Sequence, residues 1–280
     1  MYTTAYQEQL LREKQPAPKK KRWKKRKLFF ILLVIALGIA GIIVLIRASF
    51  LQVRSVVVEG VNAADPGDVQ ARVEESLGGN YVFVIPKASI FFLSKDALVE
   101  MLTTEFPRFA SVSIERRDFH TIAVRVHEYE EWALWCRSKA ADDDCYFMDA
   151  AGTVFSPAPF FSGTAYLKVY KGELGEMPFE PLTPVELALL KRYKEELPSL
   201  RLVPTSVSFD SPYKLTVEFL YGDSTAQLFI NPKHDPALVL ENLSSALTSE
   251  EFKSAFRSAA KPLEYIDARF TNKVVYKFNE

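Results

Sequence analysis

A run of 19 residues without a charge, from Leu28 to Ile46, constrains this chain more than any other feature. As a helix the run would span roughly 28 Å, which is close to the ~30 Å hydrocarbon core of a bilayer. A cluster of Lys and Arg residues precedes it, and Arg47 ends it. We therefore predict a transmembrane helix over 28–47, with the basic side in the cytoplasm and the bulk of the chain outside it.

A cleavable signal peptide is the alternative interpretation of the apolar run. Such a peptide has an apolar region of about 7–15 residues before a small-x-small cleavage site. Gly38–Ala40 resembles such a site, but residues 41–46 remain apolar where a mature chain would become polar. The continuous run favours a permanent anchor.

The charge of the chain is unevenly distributed, although its formal net charge is zero. Residues 1–27 hold ten basic residues and two acidic ones, so this tail carries +8 and the remainder −8. A basic run beside a membrane span is typical of a topology signal, and its charges also attract anionic lipid headgroups. We expect no nucleic acid as a partner, and we predict a disordered basic cytoplasmic tail over 1–27.

The region after the span has the pattern of one small α/β unit over 51–129. Asp65 and Pro66 are typical of an N-cap and a first helical position, and apolar residues follow at every fourth position through 69–77. Pro107 stops a second helix. The predicted order is strand, helix, helix, strand, strand, with these elements at 53–58, 66–77, 94–106, 110–117 and 121–128.

The remaining residues, 130–280, have the pattern of a mostly antiparallel β-domain with helices on one face. Short alternating runs predict strands, and Gly222 marks the turn of a hairpin. Thr183, Pro184 and Glu186 form the sequence of a capping box at the start of a helix. A second helix is predicted to start at Asp235.

The segment 265–278, "YIDARFTNKVVYKF", predicts an unusually long strand of about 14 residues. Its apolar residues share one parity, which places them on one face of a strand. Two interpretations follow from the residues alone. The segment is an ordinary strand that covers a core, or it is a strand with one spare edge that accepts a partner's strand.

Five stretches carry a family resemblance through their order and spacing: "VVVEGV" at 56–61, "GGNYVFVIP" at 78–86, "VSIERRDFHTIAVRVHEYEEWALW" at 112–135, "MDAAGTVFS" at 148–156 and "LEYIDARFTNKVVYKF" at 263–278. Together they resemble the FtsQ/DivIB family of bacterial cell-division proteins. The chain departs from the family pattern at three places: the family often has Pro in the turn at Phe119, Pro before Trp132, and Leu at Ala268.

The resemblance implies an α+β fold: an N-terminal transmembrane helix, a POTRA domain of order β-α-α-β-β, and the β-domain. It also implies a non-enzymatic divisome component at the septum of the bacterial plasma membrane. The implied partners are FtsB/FtsL-like proteins, with FtsK-like and septal synthase proteins as further ones. The implied FtsB-like contact is strand addition along Phe270, Thr271, Asn272, Lys273, Val274, Val275, Tyr276 and Phe278.

No motif in the sequence nominates a catalytic residue, a cofactor or a metal. The stretch "HEYEE" at 127–131 begins like a zinc-protease motif, but it lacks the second His four residues on. The acidic stretch at 142–152 lacks the spacing and the closing Glu of a calcium loop. We expect no enzymatic activity. A membrane-anchored enzyme or sensor and a POTRA-bearing translocation or assembly factor stay as alternatives.

Cys136 and Cys145 are the two cysteines of the chain. Both lie outside the cytoplasm on the predicted topology, where an oxidising compartment favours a disulfide. Antiparallel neighbours can satisfy the Cα separation that a disulfide needs. A disulfide, two free thiols and a metal site are the alternatives, and the disulfide is preferred.

Overall fold

The computed structural model describes residues 20–47, 51–81, 85–139, 141–161, 163–222, 224–258 and 262–279. Most of the predicted basic tail, at 1–19, lies outside these residues. The first helix, α1 (Lys20–Arg47), begins eight residues before the apolar run. Residues 20–27 of the predicted tail are therefore helical, because Lys and Arg are good helix formers that extend an existing helix at little cost.

The apolar part of α1 is long enough to cross a membrane. Residues Lys25–Leu45 satisfy the length and composition of a span, and their side chains are not buried against the rest of the protein. A helix that is apolar on all sides and stays exposed has the character of a lipid-facing segment.

The chain divides into two compact units. One contains Met1–Val99 and Ser113–Arg125, and the other contains Glu100–Val112 and Val126–Glu280. The boundary predicted between 129 and 130 stays a prediction.

Residues 51–128 have the predicted order of helices and strands, with a short β-ladder between the two helices. The elements are β1 (Ser55–Glu59), α2 (Pro66–Leu77), β2 (Asn80–Tyr81), β3 (Ile85–Pro86), α3 (Lys95–Glu105), β4 (Phe109–Arg116) and β5 (Thr121–Glu128). Strand β1 is parallel to β5, with Ser55 opposite Thr121, and the three-stranded sheet has the order β1-β5-β4.

The start of α2 has the predicted cap. The carboxylate of Asp65 accepts a hydrogen bond from the backbone N–H of Gly67 at 2.8 Å, which satisfies one of the unpaired donors of the first turn. Val69, Val73 and Leu77 are buried, as their spacing predicts.

The second unit is built on a mostly antiparallel sheet, of nine strands among the described residues. Their order is β14-β13-β12-β11-β10-β9-β6-β7-β8. The strands are β6 (Ala133–Ser138), β7 (Ala141–Met148), β8 (Val154–Pro157), β9 (Lys168–Tyr170), β10 (Val203–Ser211), β11 (Lys214–Tyr221), β12 (Ser224–Ile230), β13 (Leu263–Ala268) and β14 (Val275–Phe278).

Three helices share a core with the inward-facing side chains of this sheet. They are α4 (Pro184–Glu196), α5 (Pro236–Thr248) and α6 (Glu250–Ser258). The predicted capping box is present, with the backbone N–H of Glu186 donating to the hydroxyl of Thr183. The core also contains residues of β11, β12 and β13, so the helices cover one face of the sheet.

The prediction of one long strand over 265–278 is wrong, because the segment forms two antiparallel strands, β13 and β14. Ile266 lies opposite Tyr276. The chain leaves β13 after Ala268, where the carboxylate of Asp267 accepts hydrogen bonds from the backbone N–H and the guanidinium of Arg269. This local side-chain-to-backbone bond competes with a continuing ladder and starts the connection.

The structure joins Cys136 and Cys145 in a disulfide. The two residues lie opposite each other in the ladder between β6 and β7, with their Cα atoms 4.1 Å apart. Both side chains are buried with those of Leu134, Phe147 and Phe155. The bridge therefore links neighbouring strands on the β8 side of the sheet.

Candidate partner-binding edge

The two edge strands of the nine-stranded sheet are β8 and β14. The outer side of β8 is partly paired, because Val154 and Phe179 exchange backbone hydrogen bonds of 2.8 and 3.0 Å. Among the described residues, no segment pairs with the outer side of β14. That side is the exposed edge of the sheet.

The backbone of β14 determines which of its groups face outward. The N–H of Asn279 donates to the carbonyl of Pro262 at 3.0 Å, so Asn279 points its backbone toward β13. Backbone groups alternate between the two sides along a strand, which places those of Val275 and Lys277 on the β13 side. Tyr276 and Phe278 therefore direct their N–H and C=O groups toward the outer edge, and the same alternation, continued one residue before the strand, does so for Val274.

The side chains of Tyr276 and Phe278 in β14 lie against the helical layer. The ring of Tyr276 meets that of Phe252 edge to face at 4.9 Å between centroids, and Phe278 lies 6.3 Å from Phe252 and from Phe256. Tyr221 meets Phe256 at 5.1 Å. We call these five residues the aromatic cluster. Such contacts stabilise beyond their buried area, by about 0.5–1.5 kcal/mol for a pair.

A small apolar cavity of about 210 Å³ opens beside this cluster, on the side of Tyr221 in β11. It is lined by Tyr221, Leu247, Phe252, Phe256 and the side chain of Lys253. Phe256 remains 43% exposed, so an apolar surface continues from the core to solvent beside β14.

The connection between β13 and β14 holds five of the eight residues predicted for the interface. Outside the strands lie Phe270, Thr271, Asn272, Lys273 and Val274. The amide of Asn242 in α5 donates to the carbonyl of Thr271 at 3.1 Å, which fastens the connection to the helical layer. The ammonium of Lys273 lies 4.6 Å from the ring of Phe270, which is itself exposed.

The electrostatics of this hairpin depend on a buried carboxylate. Desolvation alone would raise the pKa of Asp267, but the hydrogen bonds from Arg269 outweigh it and hold that pKa below its ordinary value. The same contact raises the pKa of Arg269. Lys277 and Glu264 form a more exposed ion pair at 2.9 Å across β13 and β14. The hairpin is thus fixed by two ion pairs of unequal burial.

A wider depression of about 530 Å³ lies on the face of the sheet that carries Glu218, Gln227 and Tyr265. Desolvation opposes ionisation of Glu218, but hydrogen bonds from Lys139 and Ser206 hold its pKa below its ordinary value. The carboxylate is therefore charged and paired at neutral pH. Among the described residues, no group of three or more His, Cys, Asp or Glu side chains is placed to hold a metal ion.

The sequence located the edge but missed what supports it. Val275, Tyr276 and Phe278 lie in β14, and Val274 directly precedes it; their role in binding a partner stays a prediction. Phe252 and Phe256 were not nominated, although their spacing of four residues places them on one face of a helix. Recognising them needed the knowledge that α6 packs beside β14.

No protein-family model matches this chain, and no curated protein matches it. The geometry of the edge and the sequence patterns are therefore the grounds for a functional proposal.

Proposed function

We propose that this chain is a non-enzymatic divisome scaffold of the FtsQ/DivIB type, anchored in the plasma membrane by α1 with its N-terminus in the cytoplasm. The single observation that carries the proposal is the outer edge of β14, which is unpaired among the described residues. An exposed edge with outward N–H and C=O groups is the element that strand addition requires.

The partner in this proposal is an extended segment of an FtsB/FtsL-like protein that pairs with β14. The outward groups of Val274, Tyr276 and Phe278 supply the backbone hydrogen bonds. An apolar side chain of the added strand packs beside the rings of Tyr276 and Phe278, which supplies selectivity. The connection at 270–273 lies at the end of the same strand and extends the contact surface.

The wider role follows from the resemblance. Residues 51–129 act as a POTRA domain that contacts earlier division proteins such as FtsK-like ones. The β-domain, residues 130–280, recruits the septal peptidoglycan synthesis proteins through its FtsB/FtsL-like partner. The chain acts at the division septum and binds proteins without transforming a substrate.

The proposal is tested by two proline variants at adjacent positions, with the cognate FtsB-like segment as ligand. Val274→Pro removes an outward N–H, which an edge strand tolerates, and its ring obstructs an added strand. We expect the affinity to fall by about ten-fold or more, equivalent to about 1.4 kcal/mol, with an unchanged melting temperature. Isothermal titration calorimetry and thermal unfolding by circular dichroism measure the two quantities.

Val275→Pro is the matched control, because the N–H of Val275 faces β13 and its side chain is exposed. This variant breaks a ladder bond, so we expect a lower melting temperature. If the Val274→Pro variant kept its fold and bound the FtsB-like segment with wild-type affinity, the edge would be rejected as the interface. A translocation or assembly factor would instead bind many unrelated extended peptides at this edge with similar affinity.

A further inference from the structure

Three exposed phenylalanines lie in two turns of the first unit. Phe91 is 58% exposed, Phe92 46% and Phe119 63%, and none of them belongs to the edge described above. Exposed Phe side chains grouped at one place mark an interaction surface more often than a solvated face.

The first turn returns toward the end of α1. Val53 donates to the carbonyl of Ala88 at 2.8 Å, and Ile90 donates to that of Leu51 at 2.9 Å. Gln52 forms an antiparallel bridge with Ser89 between them. As the chain proceeds from Leu51 to Val53 it leaves α1, so the antiparallel segment 88–90 runs back toward α1 and delivers Phe91 and Phe92 there.

The distance to the membrane helix is short. The side-chain amide of Gln52 donates to the carbonyl of Arg47, the last residue of α1, at 3.0 Å. Leu51 itself is four residues from Arg47, a path of at most about 14 Å. The headgroup zone of a bilayer is about 5–8 Å thick on each side. Because Gln52 contacts Arg47 directly and pairs with Ser89, the turn at 89–92 is within reach of this zone.

The second turn lies at the same end of the unit. The carbonyl of His120 accepts hydrogen bonds from the N–H groups of Arg54 and Ser55, at 2.8 and 3.1 Å. The carboxylate of Asp118 accepts from the N–H groups of His120 and Thr121, which shapes the turn and leaves Phe119 outside. Because β5 is parallel to β1, this turn lies beside the first residues of β1, near α1.

The charges around these rings suit a lipid surface. The guanidinium of Arg116 lies 6.0 Å from the ring of Phe91, and Lys87 directly precedes the 88–90 segment. Arg47 ends the membrane helix itself. Aromatic and aliphatic side chains next to Lys and Arg are typical of segments that lie in the interface of a bilayer with anionic lipids.

We propose that Phe91, Phe92 and Phe119 form a membrane-docking surface, which rests in the headgroup zone of the leaflet from which α1 emerges. The ligand is the lipid surface, with anionic headgroups near Arg116. This inference rests on the proposal that α1 spans the membrane, and it goes beyond the binding of a partner strand at β14.

The experiment uses the full chain in lipid nanodiscs that contain phosphatidylglycerol and phosphatidylethanolamine. Both native cysteines are in the disulfide, so one introduced cysteine carries one environment-sensitive fluorophore. The test positions are Phe91→Cys, Phe92→Cys and Phe119→Cys. The matched control is Asn62→Cys, an exposed position beyond the far end of β1, where Glu59 lies about 13 Å from Ser55 along the strand.

We expect lipids with a shallow nitroxide quencher to reduce the emission of the three test positions by about two-fold and to leave the Asn62→Cys label unchanged. A label at Leu37→Cys, in the middle of α1, tests whether α1 spans the membrane. Lipids with a deep nitroxide quencher should reduce the emission of this label. Quenching at position 37 with unquenched labels at 91, 92 and 119 would overturn the docking surface while the anchor stands. An unquenched label at position 37 would overturn both.

A second variant tests whether the two turns act as one surface. Phe91→Asp with Phe92→Asp places charges on the proposed contact, so we expect quenching of a label at Phe119→Cys to fall to the level of the Asn62→Cys control. Undiminished quenching would reject a shared surface. Affinity for the FtsB-like segment, measured as for Val274→Pro, separates a failure here from a failure of the proposed function.

Discussion

The two edges of the nine-stranded sheet differ in how they are protected. Along β8, Val154 is paired with Phe179, and Pro157 at the end of the strand has no N–H to offer. The disulfide between Cys136 and Cys145 links the strands just inside that edge. Along β14, the protection consists of side chains: the aromatic cluster on one face and the Lys277–Glu264 ion pair on the other.

This difference determines which edge keeps its backbone groups available for pairing. Proteins usually blunt edge strands because unpaired N–H and C=O groups invite aggregation. The β8 edge is blunted by backbone pairing, which a partner would have to displace. The β14 edge is short and carries Lys277, and both features limit non-specific pairing without occupying its backbone groups.

The largest predicted effect comes from removing a buried side chain that supports the β14 edge and not the β8 edge. Phe252 is 2% exposed and underlies β14, so Phe252→Ala removes contacts to Tyr276 and Phe278 and leaves a cavity. We expect the free energy of unfolding to fall by about 3–5 kcal/mol. Chemical denaturation measures the loss, and hydrogen exchange locates it, with faster exchange in β13 and β14.

Phe155→Ala is the matched control on the other edge, because Phe155 is fully buried in β8 and stacks on Tyr129 at 5.0 Å. We expect a similar global loss, with the faster local exchange confined to β7 and β8. If both variants loosened β13 and β14 equally, the aromatic cluster would not be a local support of the open edge.

The disulfide provides a smaller effect on the protected edge. Replacing Cys136 and Cys145 with Ala reopens a loop of nine residues, and we expect a loss of about 2–3 kcal/mol. The exchange rates of β6 and β7 should rise while those of β14 stay unchanged. A stability equal to that of the native protein would show that the ladder between Cys136 and Cys145 is sufficient without the bridge.

Much of the fold could be predicted because its signals are local. The cap at Asp65, the capping box at Thr183 and the alternation in β11 and β12 each depend on residues within a few positions of one another. The prediction of one strand over β13 and β14 is wrong because it also depends on a local signal. Its alternation continues through the connection, and the bond between Asp267 and Arg269 that turns the chain leaves no mark on the pattern.

The candidate site was harder to predict because it depends on distant parts of the chain. Phe252 and Tyr276 are separated by 23 intervening residues, and Asn242 reaches the connection from α5. Parallel pairing of β12 with β13 brings these segments together, and no periodicity in the sequence encodes that pairing. The sequence indicated the strand that carries the edge, whereas packing decides which of its groups face outward.

The smallest predicted effect concerns the turn that leads into the open edge. The lowered pKa of Asp267 means that its charged form is favoured in the folded state. Its contribution to stability is therefore present above the ordinary Asp pKa of about 3.9 and is lost as the pH falls through the lower folded-state value. Asp267→Asn should reduce the free energy of unfolding at pH 7 by about 1–2 kcal/mol, because Arg269 keeps partial access to water.

Denaturation of the native protein and of Asp267→Asn over pH 7 to 2 isolates the contribution of Asp267 to stability, since the other carboxylates are the same in both proteins. We expect the difference in free energy of unfolding between the two proteins to become smaller as the pH falls. A difference independent of pH would mean that Asp267 supports the turn by its shape and hydrogen bonds alone. In that case the charge of Asp267 would not stabilise the β14 edge. The difference between the β14 and β8 edges would then depend on the packing of the aromatic cluster.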